Sequence, residues 1–293
     1  MVGAFLAGIW YANERSSQKI KDHPLLARRI FLENPNDTII NFEPLRSKLR
    51  QELAHYGENS SLYFEYLPTG TSIRIGDSTQ LIGASLLKLP YVMDLYHLAE
   101  IGKINLQSKV QLKAEWLDTA YGQLHQRGAG AELTVRELAQ AALRYSDNTA
   151  INGVRALVDE QRLPPQESSF HALDIEFATT EAATISLTAR SFSSFLKCLY
   201  FSCYLAPDHS QELLQELSVG SVGGDRLPKY LPTDLTIAHK IGVLGQAVQS
   251  DCGIVYVQKR HYVLCVILKE SQDRGSEVIA QLSKYVYDYV KNR

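Results

Sequence analysis

Residues 236–268, TIAHKIGVLGQAVQSDCGIVYVQKRHYVLCVIL, decide the fold class of this chain of 293 residues. The stretch contains three apolar, β-rich runs separated by short polar segments, a pattern typical of neighbouring antiparallel strands. The runs are Thr236 to Ile241, Asp251 to Val257 and His261 to Leu268. Helical periodicity from Glu277 to Val290 then predicts a last helix that covers these strands.

The beginning of the chain predicts two more strands and another helix. Leucines at every fourth position between Phe42 and His55 indicate an amphipathic helix. Ser61 to Tyr66 and Thr71 to Ile75 are β-rich runs on either side of a Pro-Thr-Gly turn, so they predict a hairpin. Strands from both ends of the chain can therefore form one antiparallel five-stranded sheet, covered by the terminal helices.

A long helical insert lies between these two groups of strands. Its clearest helical segments are Leu133 to Leu143, Asn148 to Val158 and Ala189 to Phe201. The pattern predicts an α/β (α+β) fold with a sheet lobe at 42–84 and 231–293 and an all-helical lobe at 85–230. A cleft between such lobes is where a ligand site is expected.

Residues 1–41 are predicted to lie outside this domain of residues 42–293. Met1 to Ala12 is apolar, but it is shorter than the roughly 20 residues of a membrane-spanning helix and lacks the basic start of a signal peptide. We interpret it as the remnant of a membrane anchor, a possible tether, or as an amphiphilic leader. The polar, irregular residues 13–41 indicate a connecting arm.

Charge and composition exclude several kinds of function. The formal net charge is -2 and basic residues do not cluster, so we expect no nucleic-acid partner. The histidines lack metal-binding spacing, and we expect neither a metal nor a cofactor. The cysteines are expected to be small buried thiols, because a chain of this length needs no disulfides. They are Cys198, Cys203, Cys252 and Cys265. The oligomeric state is left open.

The segment Ser85-Leu86-Leu87-Lys88 combines a nucleophile with a base at the start of a helical run. Side chains three residues apart share one helix face, so the Ser85 hydroxyl and the Lys88 amine can meet. Lysine can take the serine proton when burial or neighbouring cations keep it neutral. By itself this short pattern also occurs by chance, with an ordinary surface lysine.

A second motif, Tyr-Ser-Asp-Asn at 145–148, lies between two helical runs. Ser146 could pass a proton between Lys88 and a leaving group, and the Asn148 amide could bind a substrate amide. Ser-Asp-Asn also suits the N-cap of the following helix. Both interpretations can hold, because capping would fix the loop that presents these side chains.

A third motif, His-Lys-Ile-Gly at 239–242, lies on a β-rich run. Lys240 supplies a second cation, and Gly242 lets a substrate approach the strand edge closely. Together the motifs resemble the S-x-x-K, S-D-N and K-T-G elements of the class A β-lactamase and penicillin-binding protein superfamily. The likeness covers about residues 42–293 and includes Thr-Val-Arg-Glu-Leu at 134–138.

The resemblance implies a serine acyl-transfer hydrolase with Ser85 as nucleophile and Lys88 as its base. Ser146 and Lys240 would assist departure of the leaving nitrogen. The N–H groups of Ser85 and Val243 would form an oxyanion hole, which contributes on the order of 100-fold in rate per donor. The residues that the resemblance implies around the substrate are Tyr121, Asn148, Arg226, Gly242 and Val243.

Tyr121 falls where the family keeps an aromatic wall, and Arg226 falls where some members keep an arginine that holds the substrate carboxylate. For both residues a core or surface role remains equally open. The third motif departs from the family because Ile241 replaces the threonine. Recognition of the carboxylate would then depend on Lys240, with or without Arg226.

The segment that the family uses as its Ω-loop is shortened and lacks an E-x-x-L-N motif. In class A enzymes the glutamate of this loop activates the deacylating water. Glu176 and Glu181 are the nearest carboxylates, and either would have to reach that water to replace it. We therefore expect slow deacylation.

The resemblance implies a small-molecule β-lactam or a peptidoglycan stem peptide of D-Ala type as substrate. The alternatives are a D-alanyl-D-alanine carboxypeptidase or penicillin-binding protein, and a non-catalytic cell-wall-binding relative. Both substrate classes lie outside the cytoplasmic membrane, so we expect an extracytoplasmic protein, periplasmic or at the cell surface.

Overall fold

The structure, a computed structural model, describes residues 40–179 and 184–292, and it confirms the predicted fold class. Its strands, in chain order, are β1 (Ser60–Tyr66), β2 (Thr71–Ile75), β3 (Leu81–Ile82), β4 (Lys109–Gln111), β5 (Glu132–Thr134), β6 (Ala178–Thr179), β7 (Ile185–Leu187), β8 (Ile237–Leu244), β9 (Val248–Val255) and β10 (Tyr262–Leu268). Its α-helices are α1 (Glu43–Leu53), α2 (Lys88–Glu100), α3 (Val135–Arg144), α4 (Asn148–Glu160), α5 (Ser169–Ala172), α6 (Ala189–Phe201), α7 (Pro207–Ser218) and α8 (Gln272–Lys291).

The main sheet is antiparallel and has the strand order β2-β1-β10-β9-β8. Alternate residues of its central strands point to opposite faces, and both faces are apolar. On strand β10, Leu264 packs with the terminal helices α1 and α8, whereas Val263 packs with the helical lobe. Because β8 is the last strand of the sheet, one of its edges faces the helical lobe rather than another strand of this sheet.

Two small sheets lie outside the main sheet, and four of their strands fall within the lobe at 85–230 that was predicted to be all-helical. Strand β4 pairs with β5, and strands β3, β7 and β6 form a three-stranded sheet. These strands have only two or three residues each, too few for an alternating pattern to be visible in the sequence. Helix α3 begins with a capping box, in which Thr134 and Glu137 satisfy each other's backbone N–H groups.

The cysteines form two disulfides, so the prediction of free thiols is wrong. Cys252 and Cys265 are direct register partners on the neighbouring strands β9 and β10. Cys203 is folded back onto Cys198 because Ser202 ends helix α6 with a left-handed φ of 52°. Spacing along the sequence does not reveal either pairing, because each depends on how the chain turns back.

The interpretation of Met1 to Ala12 as an anchor remnant or leader falls outside the described residues. Within the two described ranges, no helix combines the length and the apolar character that crossing a membrane requires. The predicted division at residue 42 stays a prediction, and helix α1 begins next to it, at Glu43.

Candidate active site

Ser85 lies in a short 3-10 turn, Ala84–Leu87, that leads directly into helix α2. The turn replaces the first α-helical turn that the sequence pattern indicates. The backbone N–H of Lys88 still donates to the Ser85 carbonyl, so the two residues stay on consecutive parts of one helical segment. Ser85 is half-buried.

The edge strand β8 passes very close to this turn, and Gly242 makes the approach possible. A Cβ atom at position 242 would lie 2.9 Å from the Gly83 carbonyl oxygen and 3.0 Å from Leu86 Cγ. Both distances are shorter than ordinary van der Waals contact, so any larger residue would push the strand away from the nucleophile. Gly242 was predicted to let a substrate approach the strand edge, and in the structure the group that approaches it includes the backbone of Gly83.

Lys88 is buried, with 5% of its surface exposed. Its Nζ donates to the carbonyl oxygen of Ser146, to Asn148 Oδ1 at 2.8 Å and to Ser146 Oγ at 3.3 Å. Burial lowers the pKa of Lys88 to about 8, and the carboxylates of Asp147 and Asp118 oppose that shift. An amine with this pKa is partly neutral near neutral pH and can act as a base.

Lys240, on strand β8, reaches the same hydroxyl. Its Nζ donates to Ser146 Oγ at 2.7 Å and to the carbonyl oxygen of Ile241 at 3.2 Å. Only 1% of Lys240 is exposed, and burial together with the charge of Lys88 holds its pKa well below the usual range. The Ser146 oxygen therefore accepts from two lysines, and its own proton remains for another acceptor.

The local structure of the second motif explains how Ser146 is presented. Ser146 has a left-handed φ of 54°, which costs about 1 kcal/mol or more for a residue with a Cβ. The next residue, Asp147, is the N-cap of helix α4 and accepts from the N–H of Ala150 at 2.9 Å. It also accepts from the N–H of Leu124 at 2.8 Å. The capping role is therefore filled by Asp147 and coexists with the contacts of Ser146.

Tyr121 and Asn148 meet in the wall of the cleft. The Asn148 N–H donates to the Tyr121 carbonyl at 2.9 Å, and the Lys88 amine lies 6.0 Å from the centre of the Tyr121 ring. The ring is 41% exposed, as expected of a residue that a substrate could touch. Asn148 Nδ2 donates to Asp118 Oδ1 at 3.1 Å. Asp118 was not predicted as a site residue, because no motif marks a single aspartate in a loop.

Arg226 is buried next to strand β9 and is not in hydrogen-bond contact with the two lysines or with Ser146. It donates through Nη2 to Gln249 Oε1 at 2.9 Å, and it is only 2% exposed. Its charge is nevertheless close enough to help lower the pKa of Lys240. Its role as a carboxylate ligand stays a prediction, as does that of the Val243 N–H on the edge strand.

The position of the expected threonine is apolar and closely packed. Ile241 is buried, and a Cβ at Gly223 would lie 2.2 Å from its Cγ2. Of the two carboxylates considered for deacylation, Glu176 is exposed to solvent and Glu181 lies outside the described residues. No cluster of His, Cys, Asp or Glu in residues 40–179 and 184–292 could hold a metal ion.

Comparison with known proteins identifies the family to which this fold and these motifs belong. The model of the beta-lactamase enzyme family matches residues 44–290. The chain belongs to this family and is a β-lactamase-related serine hydrolase.

Two relatives illustrate the similarity in sequence. The β-lactamase AER-1 of Aeromonas hydrophila is 26% identical over 210 residues, which cover 64% of this chain and 66% of that protein. A β-lactamase of Bacillus licheniformis is 25% identical over 184 residues, which cover 57% of this chain and 59% of that protein. The matched region therefore spans less than two thirds of each relative's own length.

Solved structures share the fold over nearly their whole length. A mutant of PBP-A, an acyl-enzyme complex with penicillin G, has a TM-score of 0.75 and 24% identity, and the match covers 85% of this chain and 97% of that one. The TLA-3 extended-spectrum β-lactamase has a TM-score of 0.77 and 17% identity, with 86% and 100% covered. At these identities the likeness establishes the fold alone.

The close packing of Gly122 against the second motif can be tested by substitution. Gly122 has a φ of +94°, and a Cβ there would lie 2.1 Å from Asp147 Oδ2 and 2.6 Å from Asp147 Cα. We expect Gly122→Ala to lower the free energy of unfolding by about 3 kcal/mol or more, through backbone strain and overpacking together. Urea unfolding measures this loss.

Gly130→Ala is the matched control. Gly130 has a similar φ of +87°, but nothing lies within 4 Å of a Cβ at that position. Its substitution should cost only the backbone term, about 1–2 kcal/mol. Equal losses in the two variants would contradict the close packing of Gly122 on Asp147.

Proposed function

We propose that the protein forms an acyl-enzyme on Ser85 with β-lactams or with D-Ala-type peptides, and that it hydrolyses this intermediate slowly. The observation that carries the proposal is the pair of lysine contacts on Ser146 Oγ, at 3.3 Å from Lys88 and 2.7 Å from Lys240. A surface lysine or a simple helix cap would need neither contact. Such a linked hydroxyl can move a proton between a base and a leaving group.

Acylation would begin with neutral Lys88. Its amine takes the Ser85 proton while the Ser85 oxygen attacks the substrate carbonyl, and the backbone N–H groups of Ser85 and Val243 stabilise the oxyanion. When the carbon–nitrogen bond breaks, the Ser146 hydroxyl gives its proton to the leaving nitrogen. The Lys88 ammonium, which carries the Ser85 proton, then returns a proton to Ser146, so that the base is neutral again, while Lys240 holds the Ser146 oxygen from the other side.

Substrate binding would use the remaining polar groups of the cleft. One Asn148 Nδ2 proton is used by Asp118, so the other remains for a substrate amide. Because Ile241 offers no hydroxyl, the substrate carboxylate would be attracted by the charge of Lys240 and, at longer range, by that of the buried Arg226. Without the threonine hydroxyl of the family motif, the protein is expected to bind a peptide or β-lactam carboxylate with lower affinity.

Slow deacylation distinguishes the proposed protein from an efficient β-lactamase. The shortened segment without an E-x-x-L-N motif supports this, because a general base must lie within hydrogen-bond reach of its water. A D-alanyl-D-alanine carboxypeptidase or penicillin-binding protein is the second candidate, and the shortened segment without an E-x-x-L-N motif is compatible with it as well. The intact cluster of Lys88, Ser146 and Lys240 argues against a non-catalytic cell-wall-binding relative.

The disulfides support an extracytoplasmic location. All four cysteines are paired, and disulfides persist mainly in oxidising compartments such as the periplasm or the cell surface. The peptidoglycan and β-lactams that the protein would meet are found there as well. A tether formed by residues 1–12 remains part of this proposal.

Intact mass spectrometry with a fluorescent penicillin tests the proposed chemistry. We expect a stoichiometric covalent adduct on Ser85 that persists for minutes or longer, because acylation is supported better than hydrolysis. An adduct that disappears within seconds would instead indicate efficient β-lactamase turnover. Ser85→Ala should form no adduct, and an adduct on that variant or none on the wild type would contradict the proposal.

The rate of acylation should depend on pH through Lys88. Only the neutral amine can accept the Ser85 proton, so the rate rises with pH and levels off above the pKa of about 8. Well below that pKa we expect about a tenfold change per pH unit, which stopped-flow measurement with the same penicillin can follow. A rate that is constant between about pH 6 and about pH 9 would exclude Lys88 as the base.

A further inference from the structure

The loop that precedes Tyr121 is fastened to the start of helix α4 by Asp118. The Asp118 N–H donates to Thr149 Oγ1 at 2.9 Å, and the hydroxyl of this fully buried threonine lies 3.2 Å from the Asp118 carbonyl, to which it donates. Asp118 Oδ1 accepts from the N–H of Ala120 at 2.7 Å, which closes a tight turn. The backbone and side chain of Asp118 are therefore held in one place beside Asn148.

The Asn148 side chain lies between two groups of opposite hydrogen-bonding character. On one side, Asp118 Oδ1 can only accept, and Asn148 Nδ2 donates to it at 3.1 Å. On the other side, the Lys88 amine donates to Asn148 Oδ1 at 2.8 Å. A flipped amide would turn its oxygen toward the carboxylate of Asp118, so only one orientation satisfies both neighbours.

That orientation matters for the lone pair of Lys88. A neutral lysine amine has two N–H groups and one lone pair. In the neutral amine the oxygen of Asn148 and the carbonyl of Ser146 can take the two N–H groups. Lys88 then no longer donates to Ser146 Oγ, 3.3 Å away, and its lone pair is left for a hydroxyl proton. A flipped Asn148 would present its NH2 group to this lone pair and compete with the proton of Ser85.

We propose that Asp118 is a positioning residue of the acylation site. It fixes the orientation of the Asn148 amide, so that the lone pair of Lys88 stays available to the Ser85 proton. The same orientation leaves the second Nδ2 proton of Asn148 for a substrate amide. The inference deepens the proposed function and rests on it for the nature of the substrate. Asp118 itself does not touch the reacting atoms, because it acts through Asn148.

The charge of Asp118 has a second, separable effect on Lys88. The charged and titratable groups that face Lys88 are Asp147 at the start of helix α4, Asp118 and Tyr121 in the neighbouring loop, and Lys240 on strand β8. Of these, the two carboxylates raise the pKa of Lys88 against the effect of burial. Removing one carboxylate charge therefore lowers that pKa further.

Two variants separate orientation from charge. In Asp118→Asn the side-chain oxygen can still accept from Ala120 and Asn148, and only the charge is lost. In Asp118→Ala both bonds are lost. Glu115→Gln is the matched control, because Glu115 is an exposed carboxylate in the preceding 3-10 turn and its removal changes the net charge equally.

The rate of acylation is measured against pH with penicillin G and with 6-aminopenicillanic acid, which lacks the acylamino side chain. For Asp118→Asn we expect the ascending limb to move to lower pH by about half a unit or more. For Asp118→Ala we expect a loss of about tenfold or more at the plateau, larger for penicillin G than for 6-aminopenicillanic acid. Glu115→Gln should match the wild type.

An NMR titration of Lys88 with side-chain-labelled lysine provides a readout that does not need catalysis, with assignment by Lys88→Arg. Both Asp118 variants lose the charge, but only Asp118→Ala also frees the Asn148 amide, whose oxygen otherwise accepts from Lys88. A Lys88 pKa that falls further in Asp118→Ala than in Asp118→Asn, and is unchanged in Glu115→Gln, supports the inference even if no substrate reacts. Equal Lys88 titrations in the two Asp118 variants, together with a wild-type acylation plateau in Asp118→Ala, would overturn it. Absence of any adduct on the folded wild type would refute the proposed function alone, and the titration would still decide the role of Asp118.

Discussion

The hydroxyl of Ser146 is hydrogen-bonded to a lysine from each of the two lobes. It accepts from Lys88 on helix α2 and from Lys240 on strand β8, so one oxygen atom connects both walls of the cleft. Two buried ammonium groups so near one another repel, and burial penalises each of them. Burial favours the neutral form of Lys88, which is the form that a base for Ser85 needs, while burial and the charge of Lys88 lower the pKa of Lys240.

The fold holds Ser146 and Ser85 in place through backbone conformations that are unfavourable by themselves. Ser146 adopts a left-handed backbone conformation, as does Ala84 immediately before the nucleophile. Such residues persist when the surrounding structure holds them, and they cluster at functional sites. Here Asp147 holds Ser146 by capping helix α4, and Gly242 lets strand β8 press against the turn that carries Ser85.

The sequence predicted the elements whose patterns extend over many residues. Strand β2 and helix α6 have the predicted bounds, and the strand order follows from pairing between the two ends of the chain. The short strands β3 to β7 and both disulfides escaped prediction, since they depend on tertiary contacts. A two-residue strand has no period, and register partners such as Cys252 and Cys265 are known only once strands are paired.

The candidate site was predictable only as far as motifs describe it. The three motifs occur in the same order as in the family, and they contain Ser85, Lys88, Ser146 and Lys240. The structure brings the last three of these residues into direct contact. Asp118 belongs to no motif, and its importance comes from a hydrogen bond to Asn148 that only the folded chain contains. The spacing predicted that Arg226 lies near Lys240, but it did not predict that the Arg226 side chain donates to Gln249.

A double-mutant cycle of Ser146→Ala and Lys240→Ala tests most directly whether the linked hydroxyl is the working unit. The quantity measured is the rate constant for acylation by a penicillin. If Lys240 acts through Ser146, each single variant loses about 100-fold or more, and the double variant loses little beyond the larger single loss. Losses that multiply would mean that the two residues act independently, and that outcome would contradict the account.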